Sequence, residues 1–369
     1  MKNKFYISKK IDKNNHFVFL KESKKFLIVD DLYLSLFKDF YSQSNNDLKK
    51  TISKISSNTN KIYLELKELL NKPSLKSTKI EYNYVIPKNL KKFKLKLGDS
   101  CFTINYDDFE IINTVIGQLF HLEDYSNSKS KNYYVFKSNG RFFLNNDNGN
   151  LGSWNKKETH YLTGKVLSLI MCDFHEIEEE NWSGFLHASA VCRNNISYVI
   201  VGESGSGKST SCAILSKNGY SSVSDDITPI SRNGEIGNFP NSISVKEPAF
   251  KKVSNLYNQK SFSASIKISK GKIKYLNPHK LENFSPSTFK CSNIILIKYD
   301  ISKENSLKEL ELKDLLPLIV NESFFPTNSK SVNGFINWFI KCKCYALNYN
   351  NDESLINFFD LIDKEKSTL

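Results

Sequence analysis

The sequence predicts an α/β protein whose larger C-terminal part is preceded by a small winged-helix-like α+β module. Three observations carry that prediction. Residues 202–209 read GESGSGKS, the apolar run Ile196–Val201 stands directly before them, and residues 1–75 read as two short β runs followed by three short amphipathic helices. The chain has 369 residues, enough for two or three domains. It is 40% hydrophobic and 25% charged, with 15 Gly and 9 Pro, which excludes collagenous, low-complexity and acidic disordered classes.

In the first module, HFVFL (16–20) and KFLIV (25–29) read as strands around the turn-prone ESKK. Leu32–Tyr41 sets Leu34, Leu36, Phe37 and Phe40 on one helical face, and Leu48–Ile55 and Ile62–Leu70 give two further helices. Two strands and three helices make a small winged-helix type of module. Lys72-Pro73-Ser74 and the polar stretch to Lys79 read as a linker. Residues 76–180 form a mixed α+β segment. Its strands are expected at Ile80–Ile86, Phe102–Tyr106, Tyr133–Phe136 and Arg141–Leu144, and its helix at Leu162–Phe174. Residues 181–369 form the third unit, where strand, loop and helix alternate around the Gly-rich loop. At the end of the chain, Ser329–Ile340 and Asn350–Leu361 read as amphipathic helices.

Charge and cysteine content exclude more than they identify. No stretch approaches the roughly 18 apolar residues of a membrane span. After the basic N-terminus the apolar run Phe17–Leu20 is too short for a secretory signal, so a soluble cytoplasmic protein without a membrane partner is expected. The seven cysteines (Cys101, Cys172, Cys192, Cys212, Cys291, Cys342, Cys344) are odd in number and lack CxxC pairs, which argues for reduced thiols rather than a disulfide framework or zinc ribbon. The net charge of +13 is spread over dispersed lysines. It favours anionic partners in general, and nucleic acid is not expected.

The chemistry concentrates at Gly202-Glu203-Ser204-Gly205-Ser206-Gly207-Lys208-Ser209. This G-x-x-x-x-G-K-[ST] spacing lets the backbone wrap so that several N–H groups converge on phosphates, with a helix N-terminus behind them. Lys208 would reach the β- and γ-phosphates of ATP, and the Ser209 hydroxyl would ligate Mg²⁺. Thr210–Lys217 continues as the helix, closed by Asn218-Gly219.

Upstream, Leu186-His187-Ala188-Ser189-Ala190-Val191 places a histidine on a strand before the loop. Downstream, Ser222-Val223-Ser224-Asp225-Asp226 places adjacent carboxylates 17 residues after Lys208. Together with Asn218-Gly219-Tyr220, this pattern resembles the C-terminal domain of the HPr kinase/phosphorylase family, a P-loop fold related to phosphoenolpyruvate carboxykinase. The resemblance spans roughly residues 184–300. It implies an ATP- and Mg²⁺-dependent kinase in which Asp225 is the general base, His187 biases that carboxylate, and Asp226 with Ser209 holds Mg²⁺. Residues 202–209 and Thr210 would bind the nucleotide. It also leaves a homo-oligomer open.

The later E-x-R-G-x-G signature of that family is missing, so HPr itself is not the expected substrate. The stretches around Phe239–Lys246 and Lys272–Pro278 look like a divergent branch that accompanies ribosomally made, modified peptides. There Lys246 and Lys274 are candidates for neutralising charge on the transferred group. The expected acceptor is a Ser or Thr hydroxyl on a peptide or small protein. The N-terminal module resembles PqqD-like domains at Tyr33-Leu34-Ser35-Leu36-Phe37, which implies binding of a precursor peptide by strand addition. A competing reading stays open. Asn293–Asp300 (NIILIKYD) looks like a Walker B strand, and a metal on Asp300 would make the chain an ordinary P-loop ATPase; a peptide-binding protein that senses nucleotide without phosphotransfer is the other alternative.

Overall fold

The computed structural model describes residues 4–71, 84–107, 109–126, 128–268, 271–279 and 284–367. The proposed linker and the start of the run Ile80–Ile86 lie outside them. The fold is mixed α/β, built from several sheets and helices.

The N-terminal sheet is three-stranded and antiparallel: Tyr6–Lys10, Asn15–Leu20 and Lys25–Asp30. Its first strand escapes the sequence pattern because it is an edge, with Tyr6 buried and three of its five residues exposed. Three helices follow at Asp31–Ser42, Asn45–Ser53 and Thr59–Leu70. Asp30 caps the first by accepting from the Tyr33 N–H at 2.8 Å, and Ser44 caps the second from Asp47 N–H at 3.2 Å. Strand alternation then decides the packing. Val18 and Leu20 face the helices with Phe37, Ile52 and Leu66, whereas Phe17 and Phe19 face the C-terminal half. Phe17 meets Phe335 and Phe339 edge-on, with centroids 6.0 and 5.7 Å apart.

The middle segment is a five-stranded sheet in the order Lys91–Leu97, Ser100–Tyr106, Lys131–Ser138, Arg141–Asn146, Gly149–Trp154. All neighbours are antiparallel except the second and third strands. A parallel pair requires a crossover, and helix Phe109–Leu119 supplies it. The outer strands and this helix are elements the sequence pattern does not separate from loop. Helix Thr159–His175 packs Leu162, Val166 and Ile170 into the same core as Phe102 and Leu144.

In the C-terminal half, Ile196–Val201, Thr288–Tyr299 and Lys343–Tyr349 run parallel. Alternation splits the first strand between two cores. Val199 and Val201 meet helices Leu312–Glu322 and Ser329–Phe339, while Tyr198 and Ile200 meet helices Lys208–Lys217 and Asp352–Ser367. The margins of this sheet come from the same two chain segments. Gly184–Leu186 pairs Thr228–Ile230, and Ser189–Arg193 pairs Ser221–Ser224. Both ladders are broken at one level, between Leu186 and Ser189 on one segment and between Ser224 and Thr228 on the other. A separate sheet, Ile243–Lys246, Gly271–Leu276 and Ile266–Ile268, lies beside that break. No disulfide joins the seven cysteines. Among the described residues no helix is long and apolar enough to cross a membrane.

Candidate functional site

The phosphate loop is built as its spacing requires. Gly202, Gly205 and Gly207 have φ of +153°, +90° and +105°, and helix Lys208–Lys217 begins directly after them. A Cβ at Gly202 would lie 2.9 Å from the Ile297 carbonyl oxygen, so only glycine fits there. Lys208 is buried and folds back over its own loop, donating to the Gly202 carbonyl at 2.5 Å and the Glu203 carbonyl at 3.4 Å. The Ser206 hydroxyl is buried without a hydrogen-bond partner among the described residues.

The ladder break releases Asp225 and Asp226 from sheet pairing. Ser224 and Thr228 hydroxyls bond each other at 2.8 Å across the gap, and Thr228 donates to the Ala188 carbonyl at 2.9 Å. The chain between turns tightly: Ile227 N–H donates to the Asp225 carbonyl at 2.8 Å, and Asp226 sits at φ +64°. A non-glycine residue held in that region marks a turn that its surroundings impose.

Asp225 is fully buried. Its carboxylate accepts from the Ser189 hydroxyl and, at 2.9 Å, from the Ser244 N–H. Asn241 grips its backbone from both sides. Asn241 Oδ1 accepts from Asp225 N–H at 3.0 Å, and Asn241 Nδ2 donates to the Asp225 carbonyl at 2.6 Å. Burial first, then the charge of Asp226, pushes the Asp225 carboxyl up to about 7, against the opposing hydrogen bonds from Ser189, Ser244 and Ser209. The influence of Ser209 places the Asp225 carboxyl close to the phosphate loop. Burial lowers Lys208, while Asp226, Glu322 and Asp225 draw it back toward the charged form.

The second sheet decides which lysine reaches the loop. Ser244 pairs Tyr275, Val245 pairs Lys274 and Lys246 pairs Ile273, so Ser244, Lys246 and Tyr275 share one face. On that face Ser244 donates to Asp226 at 2.8 Å and Lys246 donates to the Ser204 hydroxyl at 3.3 Å. Lys274 points the other way, 5.4 Å from the centroid of Phe250. The structure therefore brings Lys246 to the loop and does not bring Lys274.

His187 also departs from its expected place. It lies in the break rather than on a strand, its N–H donates to the Ser323 hydroxyl at 3.2 Å, and the neighbours that set the Asp225 proton affinity are Asp226, Ser189, Ser244 and Ser209. Asp300 lies at the end of the strand beside the loop. Its carboxylate is held by Ser302, through N–H at 3.1 Å and the hydroxyl at 2.6 Å.

Ser189, Asn241, Ser244, Tyr275 and Glu322 surround the site without having been singled out from the sequence. Ser189 stands two residues after His187, and Asn241 and Ser244 lie inside the stretch that ends at Lys246; Glu322 has no local signal. A cleft of about 1230 Å³ opens from this site, with Ser204, Asp226, His187 and Glu322 at one end and helix Thr159–His175 along a wall. Asp226, not Asp225, is the member of the pair that lines it.

No protein-family model matches the chain, and no curated protein matches it. Among solved structures, the Hpr(Ser) kinase/phosphatase from Coxiella burnetii aligns with 49% of this chain and 95% of its own length, at 13% identity and a TM-score of 0.23.

Proposed function

We propose that the chain is an ATP-dependent kinase of the HPr-kinase-like type that moves the γ-phosphoryl group to a Ser or Thr hydroxyl of a peptide or small protein. One observation carries the reading: a fully buried carboxylate, Asp225, set beside Asp226 and close to Ser209 of the phosphate loop, at the end of a large open cleft. An ATPase needs to place only water, whereas a cleft of this size leading to a proton acceptor suits a bulky alcohol.

In the proposed step the acceptor hydroxyl enters beside Asp226, its oxygen bonds the γ-phosphorus, and the bond to the β-phosphate oxygen breaks to leave ADP. The carboxylate pair takes the hydroxyl proton. Asp225, raised toward neutrality, is the member that keeps it, and the titration belongs to the pair. Lys208 exchanges the Gly202 and Glu203 carbonyls for phosphate oxygens, and Lys246 adds positive charge from beside Ser204.

The Ser209 hydroxyl and the Asp226 carboxylate are hard oxygen donors that fit Mg²⁺, which takes one or two protein ligands plus phosphate oxygens. Bound there, it would neutralise charge between the phosphates. Among the described residues, no group of three or more His, Cys, Asp or Glu is placed to hold a metal.

The test is incubation with γ-labelled ATP, Mg²⁺ and serine-containing peptides. Asp225→Asn is expected to lower transfer by about 10²–10⁴ while ATP binding survives. Undiminished transfer by that variant, with loss in Asp300→Asn, would move the chemistry to Asp300.

A further inference from the structure

We infer that the cleft between the phosphate loop and the middle segment is the acceptor site, and that it takes an extended acidic peptide segment around the acceptor hydroxyl. The inference rests on the kinase reading for the word acceptor, but its binding chemistry stands on the cleft alone.

Volume comes first. About 1230 Å³ exceeds the roughly 300–1,000 Å³ that encloses a drug-sized ligand, so the space suits several residues of a chain rather than a free amino acid.

Charge comes second. The lining holds Lys137, Lys156, Lys165 and Lys267 against Glu179, Asp226 and Glu322. Lys165 and Glu179 form an ion pair with each other, and Ser168 also donates to Glu179 at 3.3 Å. Asp226 and Glu322 act on Lys208 at the loop end. That leaves Lys137, Lys156 and Lys267, all exposed and none with a carboxylate within ion-pair distance among the described residues. They come from the five-stranded sheet, the turn after it and the edge strand Ile266–Ile268, not from the phosphate loop. The triphosphate already has Lys208 and Lys246 on its own loop and strand.

Surface character comes third. Tyr161 and Phe324, 61% and 53% exposed, line the cleft together with Trp154 and Phe142. Aromatic faces interleaved with separated cations suit a chain carrying carboxylates between apolar contacts, whereas a basic segment would meet repulsion from all three lysines.

The experiment uses the full chain with Mg²⁺ and a non-hydrolysable ATP analogue. Two fluorescent nine-residue peptides are compared by anisotropy, each with one serine, flanked in one by glutamates and in the other by lysines. The acidic peptide is expected to bind about tenfold or more tighter, with an affinity that falls as salt rises. The combined Lys137→Glu, Lys156→Glu, Lys267→Glu variant should erase that preference and keep the ATP dissociation constant. Equal binding of the two peptides, binding of neither, or a preference that survives the triple reversal overturns the inference. So does a triple variant that loses ATP instead, because the cleft would then belong to the nucleotide. An acidic peptide that binds through the three lysines but receives no label when γ-labelled ATP replaces the analogue would sink the kinase reading and leave the acidic-segment site standing.

Discussion

At Asp225 the chain keeps a carboxylate out of contact with water and surrounds it with donors chosen to hold it there. The donors do opposite work to the burial. Ser189, Ser209 and the Ser244 N–H favour the charged form, and the low-dielectric surroundings with Asp226 favour the neutral one. Because the proton acceptor must be charged to act, phosphoryl transfer should rise with pH through about 7, the value to which Asp225 is pushed. Ser189→Ala removes one of the hydrogen bonds that lower it, so the rise should shift to higher pH while the plateau is retained. A kcat–pH profile measured at saturating ATP checks this; an unmoved or downward-shifted limb would show that Ser189 does not act through Asp225. The residue scale also explains what the sequence could show. The loop was legible because glycine, lysine and serine at fixed intervals have few other reasons to coincide. Ser189, Asn241 and Ser244 were not, since each is a common residue type whose meaning comes only from where Asp225 sits. Lys246 and Lys274 were indistinguishable until the register of one strand pair sent them to opposite faces.

At the scale of elements, helix Phe109–Leu119 reaches from the middle segment to Asn241 and Ser242, beside the Asp225–Asp226 turn. Buried Gln118 accepts from Asn241 Nδ2 at 3.0 Å, and its backbone carbonyl accepts from Ser242 N–H at 2.8 Å. Asn241 in turn holds the backbone of Asp225. The helix can lie this close because residue 117 is glycine, where a Cβ would fall 2.2 Å from the Tyr275 ring. Gln118→Leu should therefore lower kcat by about tenfold through a loosened Asn241, on the scale of one lost buried hydrogen bond. The KM for ATP should stay put, and Gln118→Glu, which preserves the accepting oxygen, should recover most of the rate. A loss confined to KM for ATP would contradict that role. This helix was unreadable in the sequence because its short run, FEIINTVIGQL, mixes β-branched residues with a glycine, both poor helix formers. Its packing supplies what its propensity lacks.

At the scale of the molecule, the N-terminal module shares a core with the C-terminal half rather than hanging from a tether. Phe17 is wholly buried, and Phe26 packs on Phe325 and Phe335 with centroids 5.2 Å away. Calorimetry should therefore show the module and the C-terminal half unfolding in one transition. Phe17→Ala should cost about 3–5 kcal/mol across that whole transition. Two separate transitions, with only the first moved by Phe17→Ala, would show an independent module. The two strands and three helices were legible from their alternating and 3.6-residue patterns. The first strand, Tyr6–Lys10, and the shared aromatic core were not, because an edge strand carries few apolar residues and a strand buried on both faces shows no alternation that points to a second partner. The proposed function joins these scales: the phosphate loop would hold a triphosphate at one end of the cleft, an alcohol would enter along it, and Asp225 and Asp226 would lie where the two meet. The most direct test is the stoichiometry of phosphopeptide to ADP in a single reaction of the full chain with ATP, Mg²⁺ and a serine peptide. The account predicts one phosphopeptide per ADP, both lost in Asp225→Asn. ADP matched by free phosphate, with no phosphopeptide from any hydroxyl-bearing peptide, would contradict it.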